Sequence, residues 1–290
     1  MRILVSGASG FVGKNFQEFL HICYPKSECV FLSAKKTKRS SFGKWLKADI
    51  TKPLPASLKK QKFDVVFHLA ALNLTNVGST SVEKLVQVNG LGTHNLLSSL
   101  DFGSFVFLSS TKVYGRQDVL EEDSAIPKPA DDYSISKLVG ELFCRQFSQK
   151  HPGKKIIVFR SVNIYGPFQP EKALIPVFLQ KALKNQSLEV FGNSTRVQLI
   201  FVHDVLNAFA LALQERLSSG TYHIAPEGSF TLREVAEKVI STCNSKSEIV
   251  PVEKSSASSI VRAEKLKAFG WNAETSLDEG LRQTLDSLKN

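Results

Sequence analysis

ILVSGASGFVG, residues 3–13, is the stretch that decides the fold. Its first residues, Ile3 to Ser6, read as a short buried strand. Gly7, Gly10 and Gly13 follow directly, at the opening of an amphipathic segment from Phe11 to His21. A strand that turns tightly into a helix leaves the first helical amides unpaired and sets the positive end of the helix dipole beside them, which suits a diphosphate. A tight turn with no ligand is the plain alternative. The spacing is G-x-x-G-x-x-G instead of G-x-G-x-x-G, and this points to a particular subset of dinucleotide binders.

Outward from that turn, apolar runs alternate with longer amphipathic segments. Strands are expected at Ile3–Ser6, Cys29–Ser33, Val65–Leu69, Phe105–Ser109 and Ile156–Arg160, with helices at Phe11–His21, Ser81–Leu100 and Tyr133–Lys150. This alternation predicts an α/β fold, a doubly wound parallel sheet. After Tyr165 the pattern changes. YGPFQP is turn chemistry, followed by a helix (Ile175–Lys184), a strand (Leu199–Val202) and another helix (Val205–Gln214). The expected organisation is a dinucleotide-binding domain over 1–165, with a returning segment at about 195–220, and a smaller discontinuous C-terminal region, 166–290, that mostly binds substrate.

Hydrophobic residues make up 42% and charged residues 22% of the 290, so a sizeable core is available. The formal charge of +10 suits an anionic partner, but the lysines and arginines crowd at KKTKR (35–39) and KKQK (59–62) without forming a stripe. Nucleic acid is therefore not an expected partner. The four cysteines share no CxxC spacing and the six histidines are scattered, so neither a metal site nor a disulfide framework is expected. MRILVSGASG reaches its glycines too soon for a signal peptide, and no stretch of about 18 apolar residues follows. A cytoplasmic protein with no membrane partner is the expectation.

DDYSISKLVGE, residues 131–141, carries a tyrosine and a lysine four apart. Asp131 or Asp132 can cap the first amides, and Tyr133 and Lys137 then share one helical face. An ordinary surface helix begins the same way. At the end of the second strand stand Ser33, Ala34, Lys35 and Lys36, with no acid to hold a ribose 2′-hydroxyl. A hydroxyl followed by cations suits a 2′-phosphate, so NADP is favoured over NAD; a solvated lysine loop is the alternative. His68, inside a buried strand, reads as a satisfied core histidine.

Together the glycine spacing, the Tyr133/Lys137 pair and the serine-containing strand end FVFLSSTKVYG (105–115) resemble the extended branch of the short-chain dehydrogenase/reductase superfamily. This is the NAD-dependent epimerase/dehydratase family of nucleotide-sugar epimerases, dehydratases and reductases. KADI (47–50), FHLAA (67–71), NGLGTHNLL (89–97), RSVNIYGP (160–167), RVQLIFVHDV (196–205), GTYHIA (220–225) and FGWNAETSLDEGL (269–281) resemble segments of that branch in order, over essentially the whole chain. The resemblance implies a Rossmann-type fold with Ser110, Tyr133 and Lys137 as catalytic residues, Thr111 being the alternate to Ser110. It implies a dinucleotide held by Gly7, Ser9, Gly10, Phe11, Val12 and Gly13, and by Ser33, Lys35 and Lys36. Asp49 would meet the adenine edge, with Ile50, Leu69, Ala70, Ala71, Asn89, Tyr133 and Lys137 completing the set. Thr111, Lys112, Asn163 and Arg196 would bind a nucleotide-diphosphate sugar.

The implied reaction is hydride transfer at C4 of the sugar with Tyr133 as general acid/base. A phenol of pKa near 10 is about three units, or roughly 4 kcal/mol, too weak at neutral pH. A neighbouring ammonium can favour the phenolate by about 1 to 3 units, which gives Lys137 its reason for standing one turn away, and the positive ring of an oxidised nicotinamide adds to that. Relatives that eliminate water across C5 and C6 carry Asp and Glu where this chain has Thr111 and Lys112, so 4,6-dehydration is not expected. Lys112 either transfers a proton, faces a substrate phosphate, or is simply solvated. Two outcomes share the machinery, a 4-epimerase and an NADPH-dependent 4-ketoreductase. A dinucleotide-binding sensor without activity is a third reading. The resemblance implies a homodimer through the 81–100 and 133–150 helices. Asp204 reads as a helix cap. Lys254 and Arg262 stand near the place of the family's usual arginine and aspartate, which leaves the nucleotide open.

Overall fold

Val5, Leu4 and Ile3 are wholly buried, and a strand with no polar face can only sit inside a sheet covered on both sides. The computed structural model describes residues 1–34, 42–73, 80–192, 195–253 and 259–289. Among the described residues seven strands form one sheet: β1 (Arg2–Ser6), β2 (Glu28–Ser33), β3 (Lys44–Lys47), β4 (Lys62–His68), β5 (Asp101–Ser110), β6 (Lys155–Ser161) and β7 (Gly220–Ile224). Their spatial order is β7-β6-β5-β4-β1-β2-β3. The ladders of β1 with β2 and β4, of β2 with β3 and of β4 with β5 are parallel. The chain builds outward from β1 to β3, then returns to β4 on the other side, so the order reverses at β1. In doubly wound sheets the crevice at such a reversal, beyond the carboxyl ends of the strands, is where ligands bind.

Helices cover both faces. On one, α1 (Phe11–Cys23) places Phe16 against Phe67 of β4, with ring centroids 4.6 Å apart, and against Phe209 at 5.3 Å. On the other, Leu96, Leu97 and Cys144 join Phe102, Phe105 and Phe107 of β5 in one buried cluster. The sequence predicts a single helix over 81–100. The structure instead shows α2 (Val82–Leu85), a π-helical segment (Val86–Leu91) and α3 (Gly92–Ser99). Its cause is close approach to α4 (Asp132–Lys150). A Cβ on Gly90 would lie 2.7 Å from the Val139 side chain, and one on Gly140 would lie 2.8 Å from both the Asn89 carbonyl and the Phe107 ring. The widened turn also carries Asn89 fully inside.

Two sheet strands went unread in the sequence. β3, KWLK, is short and has a lysine at each end, so its two apolar residues do not stand out. β7, GTYHI, carries a polar histidine that is nevertheless fully buried, its Nδ1 2.8 Å from the Arg262 carbonyl.

The chain separates into two compact units: the first is Met1–Gly115, Pro127–Arg160 and Phe209–Tyr222, and the second is Arg116–Ile126, Ser161–Ala208 and His223–Asn290. The second unit is built from short pairings. Asn163–Tyr165 runs parallel to Leu199–Phe201, Leu188–Phe191 parallel to Ile249–Val252, and Arg196–Val197 antiparallel to Phe230–Thr231. Helix Leu232–Thr242 starts at a capping box of Thr231 and Glu234. Asp204 departs from its expected role. It lies inside the helix Val202–Leu213, and its carboxylate accepts from the amides of Glu274 (3.1 Å) and Thr275 (3.3 Å), pinning the segment ahead of helix Leu277–Lys289.

Because Gly140 has no room for a methyl group, Gly140→Ala is expected to lower stability by about 1–3 kcal/mol through overpacking. Urea denaturation of the variant and wild type measures it, and an unchanged midpoint would contradict the tight crossing at Gly90 and Gly140.

Candidate active site in the first unit

The glycine turn at the end of β1 is shaped by exclusion. Gly7 has φ +75°, and a Cβ there would lie 2.4 Å from the Ala70 nitrogen; a Cβ on Gly13 would lie 2.3 Å from the Gly7 carbonyl oxygen. Gly10 is the N-cap of α1, which has no side-chain cap and no acid in its first turn. Phe11, Val12 and Gly13 therefore present the positive end of α1 with nothing anionic from that turn to neutralise it. A cradle that any side chain would fill, at an uncapped helix start, fits the diphosphate of a dinucleotide.

The other expected cofactor residues surround this turn in different ways. Ser9 and Ser33 share a hydroxyl–hydroxyl bond of 2.9 Å, and Ser33 is buried. Lys35 and Lys36 lie outside the described residues. Leu69 donates its amide to the Ser6 carbonyl (3.0 Å), and it, Ala70 and Ala71 are half-buried. Asp49 accepts from the Thr51 hydroxyl (2.7 Å) and amide (2.9 Å), and these bonds hold its carboxyl below the usual range. Ile50 belongs to the core, with its carbonyl taken by Asn95 Nδ2 at 2.8 Å. Asn89 serves as a staple: its Oδ1 accepts from the Leu72 amide (2.8 Å), and its Nδ2 donates to the Leu72 carbonyl (3.0 Å) and to Ser136 Oγ (2.9 Å).

Asp131 caps α4 by accepting from the Ser134 amide at 2.7 Å, completing a capping box. This fixes where the helix begins, and so which way Tyr133 and Lys137 face. Ser110, at the end of β5, stands near enough to the Tyr133 phenol to favour its ionised form. Burial raises that phenol to about 12, Ser110 opposing it and the Asp131 charge adding to it. Lys137 is 2% exposed, donates to the Leu108 carbonyl at 2.6 Å and lies 4.2 Å over the Phe107 ring. Burial brings its ammonium down to about 8, against the pull of Glu141. The sequence expectation of an acidified phenol includes the positive ring of a bound oxidised nicotinamide; in the protein alone burial shields the phenol from water and Lys137 is committed to Leu108, so the phenol is a weaker acid.

His68 is fully buried, with Nδ1 2.7 Å from Ser6 Oγ and Nε2 2.9 Å from Thr93 Oγ1. Burial first, then the Lys137 charge, keeps its imidazole neutral. Sequence reasoning missed the buried pair of Glu141 and Arg160, in which Arg160 Nε lies 3.0 Å from Oε1 and Ser109 Oγ donates to the same carboxylate. Arg160 also covers the Tyr114 ring at 4.6 Å. The one sequence signal was Glu141 standing four residues after Lys137.

Among the substrate candidates, Thr111 and Lys112 lie on the 3-10 turn Thr111–Tyr114 directly after Ser110, so the first unit brings them together with Tyr133 and Lys137. Asn163 is exposed at the start of its strand in the second unit. Arg196, also in that unit, donates to the Ser229 hydroxyl (2.8 Å) and carbonyl (2.6 Å), so its fork is already engaged. Lys254 lies outside the described residues, and Arg262 pairs with Glu121 at 3.1 Å. No helix among the described residues is long and apolar enough to cross a membrane.

The model of the NAD dependent epimerase/dehydratase family matches residues 3–225. The chain is similar to a trifunctional UDP-glucose 4,6-dehydratase/UDP-4-keto-6-deoxy-D-glucose 3,5-epimerase/UDP-4-keto-L-rhamnose-reductase of Arabidopsis thaliana, 26% identical over 98% of this chain and 46% of that protein. It thus spans about half the length of that relative. Among solved structures it is similar to UDP-glucose 4-epimerase of Thermus thermophilus in complex with NAD, at 25% identity and TM-score 0.84, covering 100% of this chain and 99% of that one. UDP-glucuronic acid 4-epimerase of Bacillus cereus, in complex with UDP-glucuronic acid and NAD, is 19% identical with TM-score 0.88 at the same coverage. The Rossmann-type fold read from the sequence is shared with these structures.

Lys137 gives a pH signature. Its pKa falls from 10.5 in the unfolded chain to about 8 when folded, so between those values the unfolded state binds more protons and stability rises with pH. Below about 8 the buried ammonium costs on the order of 3 kcal/mol, so Lys137→Met is expected to be more stable than wild type at pH 7. That advantage shrinks by pH 9.5. Denaturation midpoints of the two cofactor-free proteins at both pH values test this, and a difference independent of pH would contradict it.

Proposed function

The chain belongs to the NAD-dependent epimerase/dehydratase family, and from that premise we propose that it is an NAD(P)-dependent nucleotide-sugar 4-epimerase with Tyr133 as general acid/base. The observation that carries this reading is the place of Tyr133, whose ring centroid lies 6.0 Å from Lys112 Nζ on the turn directly after Ser110, one helical turn from Lys137 and in the same unit as the glycine turn. A nicotinamide dinucleotide, when bound, supplies the acceptor and donor of hydride at C4. Tyr133 takes the proton of the C4 hydroxyl and later returns it. Ser110, beside the phenol, holds the same sugar oxygen in line with it. A phenol at about 12 is some five units from neutral pH, or roughly 7 kcal/mol, so Tyr133 acts as a proton donor at rest and needs added positive charge to act as a base. Lys137 is already present in that value, so the added charge is the one an oxidised nicotinamide ring would bring, and the Lys137 ammonium would serve as a hydrogen-bond donor for the nicotinamide ribose.

Ser33 and Ala34 close β2 without a carboxylate, and Lys35 and Lys36 follow, which favours NADP over NAD. The same observation favours a second reading, an NADPH-dependent reductase of nucleotide-4-keto sugars. Thr111 and Lys112 stand where an eliminating enzyme would need its carboxyl pair, which speaks against 4,6-dehydration. Retention of Ser110, Tyr133 and Lys137 speaks against a silent sensor. The first unit is assigned to the dinucleotide and the second mainly to the sugar nucleotide. Val82, Leu91, Ile135 and Leu142 are exposed on the 82–91 and 132–150 helices, which supports a homodimer through that face. A cytoplasmic setting fits the cysteine usage.

Tyr133→Phe is expected to lower kcat about 10²–10⁴-fold while dinucleotide affinity, read by quenching of protein fluorescence, stays within about threefold. A variant of near-wild-type rate would remove Tyr133 from the reaction. With wild type, sustained NADPH consumption on a 4-keto sugar decides for the reductase, and interconversion of C4 epimers without net cofactor turnover decides for the epimerase.

A further inference from the structure

Lys112 holds its position through its backbone. Ser110 Oγ accepts from its amide at 3.2 Å, Val113 and Tyr114 are fully buried behind it, the Lys128 amide donates to the Val113 carbonyl at 2.9 Å, and Gly115 at φ +65° ends the turn. The side chain is exposed, and its Nζ lies 6.0 Å from the centroid of the Tyr133 ring. Among the described residues no carboxylate pairs with this ammonium. Lys137, by contrast, is committed to Leu108 and Phe107. An uncompensated cation on a fixed turn therefore stands beside the side chain that exchanges a proton with the reacting hydroxyl.

A sugar seated with its C4 hydroxyl at Tyr133 has its diphosphate on C1, across the ring, so a cation beside the phenol is far from the phosphates. The neighbours of C4 are C3, with a neutral hydroxyl, and C5, whose exocyclic carbon is the position that becomes a carboxylate in a hexuronic acid. We propose that Lys112 is a specificity-determining residue that binds the C6 carboxylate of a nucleotide-activated hexuronic acid, making acidic nucleotide sugars the substrate class. This assignment rests on the reading of Tyr133 as the residue at O4.

The test is calorimetric titration of the full chain, loaded with NADP or with NAD, using UDP-glucuronate, UDP-glucose, dTDP-glucuronate and dTDP-glucose. For the base that is accepted, the glucuronate is expected to bind about 10- to 100-fold more tightly than the glucose form, the worth of one charge-assisted bond. Lys112→Met brings that ratio to about one, and Lys112→Arg keeps most of it. A wild type with no preference for the acid, or a ratio that survives in Lys112→Met, overturns the assignment of Lys112 and leaves the C4 reading standing. Binding of none of the four sugars overturns the nucleotide-sugar reading and this assignment with it.

Discussion

The site depends on a single buried ammonium. Lys137 is 2% exposed, and a cation so placed has to be met by dipoles and charge from several elements at once. The Leu108 carbonyl meets it directly, the Phe107 ring lies under it, and Glu141 faces it from one turn along the same helix. Glu141 in turn is fixed by Arg160 of β6 and Ser109 of β5. Two sheet strands and α4 are thus tied to one charge. His68, kept neutral nearby, adds no competing cation.

Tight backbone approaches bring these elements together. Gly7 lies against Ala70, Gly90 against Val139 and Gly140 against Asn89, so the turns after β1 and β4 meet, and the π-helical segment meets α4, at distances that side chains would forbid. Asn89 converts the last of these into hydrogen bonds, reaching Leu72 on one side and Ser136 on the other, while Ser136 donates to the Tyr133 carbonyl at 2.7 Å. The first turn of α4, which carries Tyr133, is linked through them to the loop after β4.

Much of this was legible because its causes are local. The strand-to-helix glycines sit within eleven residues, and a helix capped at Asp131 guarantees that Tyr133 and Lys137 share a face. His68 read correctly because a histidine in an apolar strand has to find partners there. What stayed hidden depends on segments far apart in the chain. The π-helical turn needs Gly140 opposite Asn89, the Glu141–Arg160 pair needs β6 beside α4, and the use of Arg196 by Ser229 needs two strands to pair. The direction taken by the Lys137 amine was equally out of reach, since it answers to a carbonyl on β5. Asp204 read as a local cap, but its carboxylate serves amides contributed by a distant segment.

β3 closes the described sheet at one end, with Lys44 and Lys47 exposed and bracketing Trp45 and Leu46. An unpaired strand margin is a template onto which another chain can add by backbone hydrogen bonding. Two copies meeting margin to margin would set like charges opposite each other, so accretion into continuous sheets is disfavoured there. At this margin of the described sheet, the lysines that concealed the strand from a hydrophobicity reading also oppose the joining of two copies.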